Sequence, residues 1–229
     1  ANTYQPPVLL SDESDNVVDI AVLNYDDDLS RDLVVITGPG SANKIYLGDP
    51  EDPTMANLGV AGKGGLRYVA LGGESNTKDS TSVALLDTDG NGEDDSILLG
   101  NKGAKDELYL QGELTTPIEV GDATDTLDVD AARLDPTQDA TTAASLLTVV
   151  FAKDGVDQYL EIPSGTYSAG APPTTTLSSV PGATNVRTHT VKFKTVPSGV
   201  YGAGDDARAH LYAGHEQAGS DPSNALGTY

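Results

Sequence analysis

The chain has 229 residues, 35 acidic against 13 basic, and a formal net charge of −22. Such a surface repels nucleic acid and anionic lipid, so neither is expected as a partner. There is no Cys, which removes disulfides, thiol chemistry and Cys-ligated zinc, and no apolar run is long enough to span a membrane.

The core must be built from modest side chains, because there is no Trp and there are only 2 Phe. A Cys-free fold outside the cell needs another staple, and bound metal is the obvious candidate. The start at Ala1-Asn2-Thr3-Tyr4 is what signal-peptide cleavage, or a trimmed chain, would leave.

In chain order, the apolar runs are short, rich in β-branched residues and bounded by Gly, Asn, Asp and Pro, so they predict strands. The first group has strands at 7–10 and 20–23, an acidic loop opening at Asn24, then strands at 32–36 and 43–47. The second repeats this at 67–71 and 83–86, with a loop opening at Asp87, then 95–99 and 106–110. The third follows at 117–120 and 131–134, with a loop opening at Asp135, then 146–151 and 157–160. A Tyr-Leu pair recurs at 46–47, 109–110 and 159–160. No window holds a capped helical period.

The loop starts are 63 residues apart (24 to 87) and then 48 (87 to 135). Four-stranded units at that spacing are the mark of propeller blades. The expected fold is therefore all-β, a β-propeller of four-stranded antiparallel blades. The blades are expected around 7–55, 66–113 and 117–163, within a repeat region of 1–165. Residues 166–229 open on a Pro/Thr/Ser-rich connector at 171–179, and strand patterns return at 185–196 and 209–213. That region reads as a degenerate fourth blade or a separate small β-element.

The second loop carries the clearest chemistry. Asp87, Asp89, Asn91 and Asp95 place side-chain oxygens at positions 1, 3, 5 and 9, with Gly90 and Gly92 between them. Calcium is a hard cation that takes six to eight oxygens, and alternate residues of a tight loop can turn toward one centre. The carbonyl of Glu93 would be a backbone ligand. Position 12 is Leu98 rather than the bidentate Glu of an EF-hand, and both flanks are strand-like. The first loop matches with substitutions: Asn24, Asp26, Asp28 and Asp32 hold the same positions, Ser30 would supply the carbonyl, and Leu29 replaces the position-6 Gly. The third loop has Asp135, Thr137 and Asp139 but no clear position-9 acid, and reads as a metal-free loop that keeps the shape.

The pattern D-x-D-G-N-G-x-x-D between strands, followed by Leu-Tyr-Leu, resembles the FG-GAP/VCBS repeat family, the calcium-loop blades also found in integrin α-subunit propellers. The resemblance covers roughly residues 7–163. It implies a β-propeller in an extracellular protein that binds proteins or glycans, or serves as a structural module. The chain departs from that pattern in length, which provides only about four units, and its Phe-Gly and Gly-Ala-Pro signatures are not intact.

No nucleophile elbow, phosphate-cradling loop or HExxH motif occurs. His189, His210 and His215 all fall in the final segment, where surface positions on strands are the expectation. Tyr46, Tyr109 and Tyr159 are expected to pack between blades rather than to stack on sugars. The expected function is a non-enzymatic, calcium-stabilised module, secreted or at the cell surface, for macromolecular recognition, adhesion or assembly. Its partners would be a protein or glycan at the surface or matrix, or copies of itself. A lectin, a structural subunit of a filament or layer, and a polysaccharide-degrading enzyme on a propeller scaffold are the alternatives.

Overall fold

Short β-branched runs separated by Gly- and Asp-rich loops pair most readily with their sequence neighbours as antiparallel hairpins. The computed structural model describes residues 16–26, 30–48, 68–133, 146–168, 170–180, 187–196, 208–216 and 226–228. Fifteen strands and no helix lie among the described residues. β1 (Val17–Leu23), β2 (Asp32–Thr37), β3 (Lys44–Tyr46) and β4 (Tyr68–Ala70) form one antiparallel sheet in that order. β5 (Asp79–Leu86), β6 (Ser96–Lys102), β7 (Asp106–Tyr109) and β8 (Ile118–Val120) form a second. β9 (Thr126–Arg133), β10 (Leu146–Lys153), β11 (Gln158–Pro163) and β12 (Ser178–Ser179) form a third. β13 (Arg187–Val196), β14 (Arg208–Glu216) and β15 (Leu226–Thr228) make a three-stranded fourth sheet.

The sheets group the strands one step later than the sequence pattern does. The run at 67–71 is expected to head the second unit, yet Tyr68–Ala70 is the outer strand of the first sheet. Ile118–Val120 likewise closes the second sheet rather than opening the third. Part of the expected connector, Ser178–Ser179, pairs with β11 as the outer strand of the third. The expected strand at 7–10 and the third loop at 135–139 lie outside the described residues.

The first strands of successive sheets pack beside one another, β1 by β5, β5 by β9 and β9 by β13. Each has one register break at the same place: between Val17 and Asp19, between Ser80 and Ser82, between Thr126 and Asp128, and between Thr188 and Thr190. A bulge twists and re-aims a strand, and its repetition sets the four strands in common register. Ile20, Val83, Val129 and Val191 thereby become equivalent. Val83 sits in a core with Val34 and Ile36 of the first sheet. Val129 packs with Ala84 and Leu86 of the second, and Val191 with Val150 and Ala152 of the third. At each of these three junctions the rear face of one sheet therefore meets the front face of the sheet before it. The apolar cores lie between sheets, so burial rather than pairing joins the units.

Polar contacts pin this stacking in a repeated way. Asp19 accepts from Ile20 N (2.9 Å) on its own strand and from Val83 N (3.1 Å) on the next inner strand. Asp128 does the same with Val129 N (3.0 Å) and Val191 N (3.0 Å). In the second sheet Ser82 takes that position, and its buried hydroxyl has no partner. A second device sits at the β2–β3 type of hairpin. Asn43, Asp106 and Asp157 accept from Thr37 N (2.8 Å), Asn101 N (2.9 Å) and Lys153 N (3.2 Å). Asn43 also donates to Ser80 Oγ (2.7 Å), which donates to Asn101 Oδ1 (2.6 Å). One unit on, Thr126 Oγ1 and Lys153 Nζ both donate to Asp106 Oδ2, at 2.9 and 2.8 Å. The Asp106–Lys153 pair is fully buried. Burial pushes the Asp106 carboxyl up, and Lys153 and its hydrogen bonds pull it partly back.

Candidate metal centre

The loop at 87–95 joins β5 to β6 at one end of the second sheet. Its path is set by short side chains that bond the backbone just ahead of them, as Asx turns do. Asp87 accepts from Gly90 N (2.7 Å) and Gly92 N (3.0 Å). Asp89 accepts from Asn91 N (2.9 Å), and Asn91 Oδ1 accepts from Glu93 N (2.7 Å). Gly90 and Gly92 have φ of 85° and 92°, a region that side chains with a Cβ avoid. The expected alternation of ligand and Gly is thus the local reason the loop curls back on itself.

The curl brings carboxylate oxygens of Asp87, Asp89 and Asp95 within 4.8 Å of one another. Oxygens bound to one calcium ion at about 2.3–2.6 Å stand at most about 5 Å apart, so this triad fits around a single ion. Three carboxylates at such separations repel by about 1–3 kcal/mol per pair near a protein surface. Asp94, exposed beside them, has its carboxyl raised above the usual range by partial desolvation and then by the charges of Asp87 and Asp95. The donor set is all oxygen, which suits a hard cation. Asn91 and Glu93 are exposed on the same loop.

Asp95 has a second role that sequence spacing did not reveal. It is buried, and its Oδ1 accepts from Thr88 N (3.1 Å), Thr88 Oγ1 (2.9 Å) and Ser96 Oγ (2.8 Å). Its Oδ2 accepts from Asp89 N at 3.3 Å. The first loop repeats this at the position-9 acid. Asp32 is fully buried and accepts from Tyr25 N (2.5 Å) and Gly48 N (2.7 Å). The position-2 residue also anchors each loop to the following unit: Tyr25 OH donates to Leu110 O (3.0 Å), and Gly165 N donates to Thr88 O (3.0 Å). Burial raises the Tyr25 phenol to about 12.

Of the other first-loop residues, Asp28 lies outside the described ones. Asp26 is exposed, and Ser30 is buried. Asn24 Oδ1 is a buried oxygen with no hydrogen-bond partner. The two loops meet across a cleft of about 390 Å³, lined by Asn24, Ser30 and Arg31 on one side and Gly92, Glu93 and Asp94 on the other. Tyr46 and Tyr109 are buried and Tyr159 is half-buried, as packing residues should be. His189, His210 and His215 fall on β13 and β14, and their side chains lie outside the described set.

Site reasoning from sequence missed Asn43, Asp106 and Asp157. The signal was present, since each opens the run that carries the recurring Tyr, but nothing in the spacing shows that the neighbouring sheet supplies further partners to Asn43 and Asp106.

No protein-family model and no curated protein matches the chain. Among solved structures it is similar to BBS1N in its crystal structure in complex with ARL6DN, soaked with lead, at 13% identity and a TM-score of 0.36. That alignment covers 93% of this chain and spans 65% of the other. Likeness at that level carries no argument about this chain.

Proposed function

We propose that the chain is a β-propeller-type stack of four-stranded blades, stapled by calcium at the 87–95 loop, that serves as an extracellular module for recognition, adhesion or assembly rather than as an enzyme. The observation that carries this reading is the convergence of Asp87, Asp89 and Asp95 oxygens within 4.8 Å at a hairpin end. Asn91 and the Glu93 carbonyl complete the ligand set on the same curl. The side-by-side order of the inner strands and the apolar cores between sheets support blades arranged about a common axis. The all-oxygen donors and the glycine-bent, adaptable loop favour calcium over the smaller magnesium ion, which demands near-ideal octahedral geometry.

A cation here neutralises acids that otherwise repel, and binding to the folded state alone stabilises by mass action. The FG-GAP/VCBS resemblance agrees with this role. Isothermal titration of the chelator-treated protein with calcium tests it. The expected result is saturable binding that Asp89→Ala abolishes, together with a higher Tm in calcium than in excess chelator. Identical melting curves would remove the calcium claim.

A further inference from the structure

We propose that Lys153 and Asp106 become joined by an intramolecular isopeptide bond, an amide between Nζ and Cγ that ties the third sheet covalently to the second. The modification needs no metal, so it stands apart from the calcium reading.

The same three positions are occupied at two junctions between sheets, with different chemistry. Between the first and second sheets, Asn43 Nδ2 donates to Ser80 Oγ (2.7 Å), which donates to Asn101 Oδ1 (2.6 Å). Between the second and third, Thr126 stands for Ser80 and Lys153 for Asn101, since Ser80 pairs with Asn101 in the register and Thr126 with Lys153. Asp106 stands for Asn43, each accepting from a backbone N–H of the strand before it. All six residues are at most 1% exposed. The first trio satisfies its hydrogen bonds with neutral groups, so pinning the junction does not require charge. The second places a carboxyl, a hydroxyl and an amine where water is excluded. A buried ion pair carries a large desolvation penalty, and groups so placed lower it by passing a proton and becoming neutral. Burial already pushes the Asp106 carboxyl up. The neutral forms, a carboxylic acid and a free amine, are the two reactants of amide formation.

The contacts supply each part of that reaction. Lys153 Nζ lies 2.8 Å from Asp106 Oδ2, beside the carbon it attacks. Asp106 Oδ1 accepts from Asn101 N (2.9 Å), a fixed donor that stabilises the negative charge Oδ1 gains as Nζ bonds to Cγ. Thr126 Oγ1 accepts from Nζ (2.6 Å) and donates to Oδ2 (2.9 Å), so it relays a proton from the nitrogen to the departing oxygen. The ion pair first passes one proton from Nζ to Oδ2, which gives the neutral amine and acid. Nζ then forms its bond to Cγ and loses one proton through Thr126, and the Cγ–Oδ2 bond breaks as Oδ2 leaves as water. Oδ1 returns to a carbonyl, Thr126 is unchanged, and no oxidant, reductant or co-reactant is needed. Thr124 O, 3.4 Å from Nζ, remains to accept from the amide N–H. Holding both reactants in contact is equivalent to a concentration of about 10⁵ M or more in well-oriented intramolecular reactions. The Phe151 ring, fully buried with its centroid 5.4 Å from Nζ, keeps the surroundings apolar.

Mass spectrometry of the intact, denatured full chain tests this, on protein whose β-sheet circular dichroism spectrum shows that it had folded. The expected mass is one water below the mass the sequence requires. Protease digestion should yield one branched peptide joining the segments around Asp106 and Lys153. Lys153→Arg and Asp106→Ala should each restore the full mass. Thr126→Val should leave most of the folded chain unlinked, whereas Thr126→Ser should link it. Folded wild type at full mass overturns the inference. A water deficit that survives Lys153→Arg does so too, because it then comes from another dehydration, such as cyclisation at Asp89-Gly90. A fully linked Thr126→Val chain overturns the relay assigned to Thr126. Chelator leaves the mass unchanged, so this outcome is separate from that of the calcium titration.

Discussion

The loops at 24–32 and 87–95 carry oxygen-bearing residues at the same four positions; the second gathers three carboxylates into a convergent triad, and residues 27–29 of the first lie outside the described residues. Both give their position-9 acid to the fold: Asp32 holds Tyr25 N and Gly48 N, and Asp95 holds Thr88 N. The second adds Gly90 and Gly92 at positive φ, which turn Asp87 and Asp89 back toward Asp95. A position-9 acid in such a loop is therefore first a clamp on the loop's own backbone. In the second loop the glycines also let the earlier acids converge on it.

Breaking the clamp should give the largest effect. Asp32→Ala removes two charge-assisted hydrogen bonds and leaves amides without their acceptor, which predicts a loss of about 3 kcal/mol or more. Urea denaturation in excess chelator should show that loss undiminished, because it does not depend on metal. Removing calcium from the wild type should cost about 2.7 kcal/mol relative to metal held at a hundredfold its Kd, read from the same curves with and without chelator. Gly92→Ala strains a residue at φ 92° and should cost about 1 kcal/mol without metal. It should weaken calcium binding in titration as well, which is the arm that sharpens the comparison. Asp89→Ala alters an exposed acid. Its metal-free stability should stay within about 0.5 kcal/mol of wild type while the calcium-dependent rise in Tm disappears.

The smallest effect is a control away from both loops. Burial raises the Asp130 carboxyl above its usual value. The folded chain therefore holds this proton more tightly than the unfolded chain does. The stability contributed by the protonated form is complete below the unfolded pKa and is lost as pH rises through the folded one. Asp130→Asn should flatten stability against pH above the ordinary Asp value of about 4, and denaturation midpoints measured as pH rises from there would show it. A slope equal to that of wild type would place the dependence on other acids.

Much of the fold was legible because strand signals are local. The run at 83–86 and its partner at 95–99 became β5 and β6, and the strand pattern at 185–196 became β13. What the pattern misplaced was the sheet boundary. A three-residue strand such as Tyr68–Ala70 has no local feature that says whether it pairs forward or back, and pairing with β3 decides it. The candidate site divides in the same way. Asp87, Asp89 and their glycines could be read off directly, because an Asx turn reaches only two or three residues along the chain. The clamp made by Asp32 could not, because Gly48 lies 16 residues away.

By itself, then, the amino-acid order determined the all-β class, the positions of most strands and the loop able to gather oxygens, since each depends on neighbours within about ten residues. Only the tertiary structure decided which sheet owns each outer strand. It also decided that Asp19 and Asp128 bridge inner strands and that Asp106 meets Lys153 in the interior. The physical reason is that these depend on the repeated bulge and on the stacking of whole sheets, where the partners lie tens of residues apart in the chain.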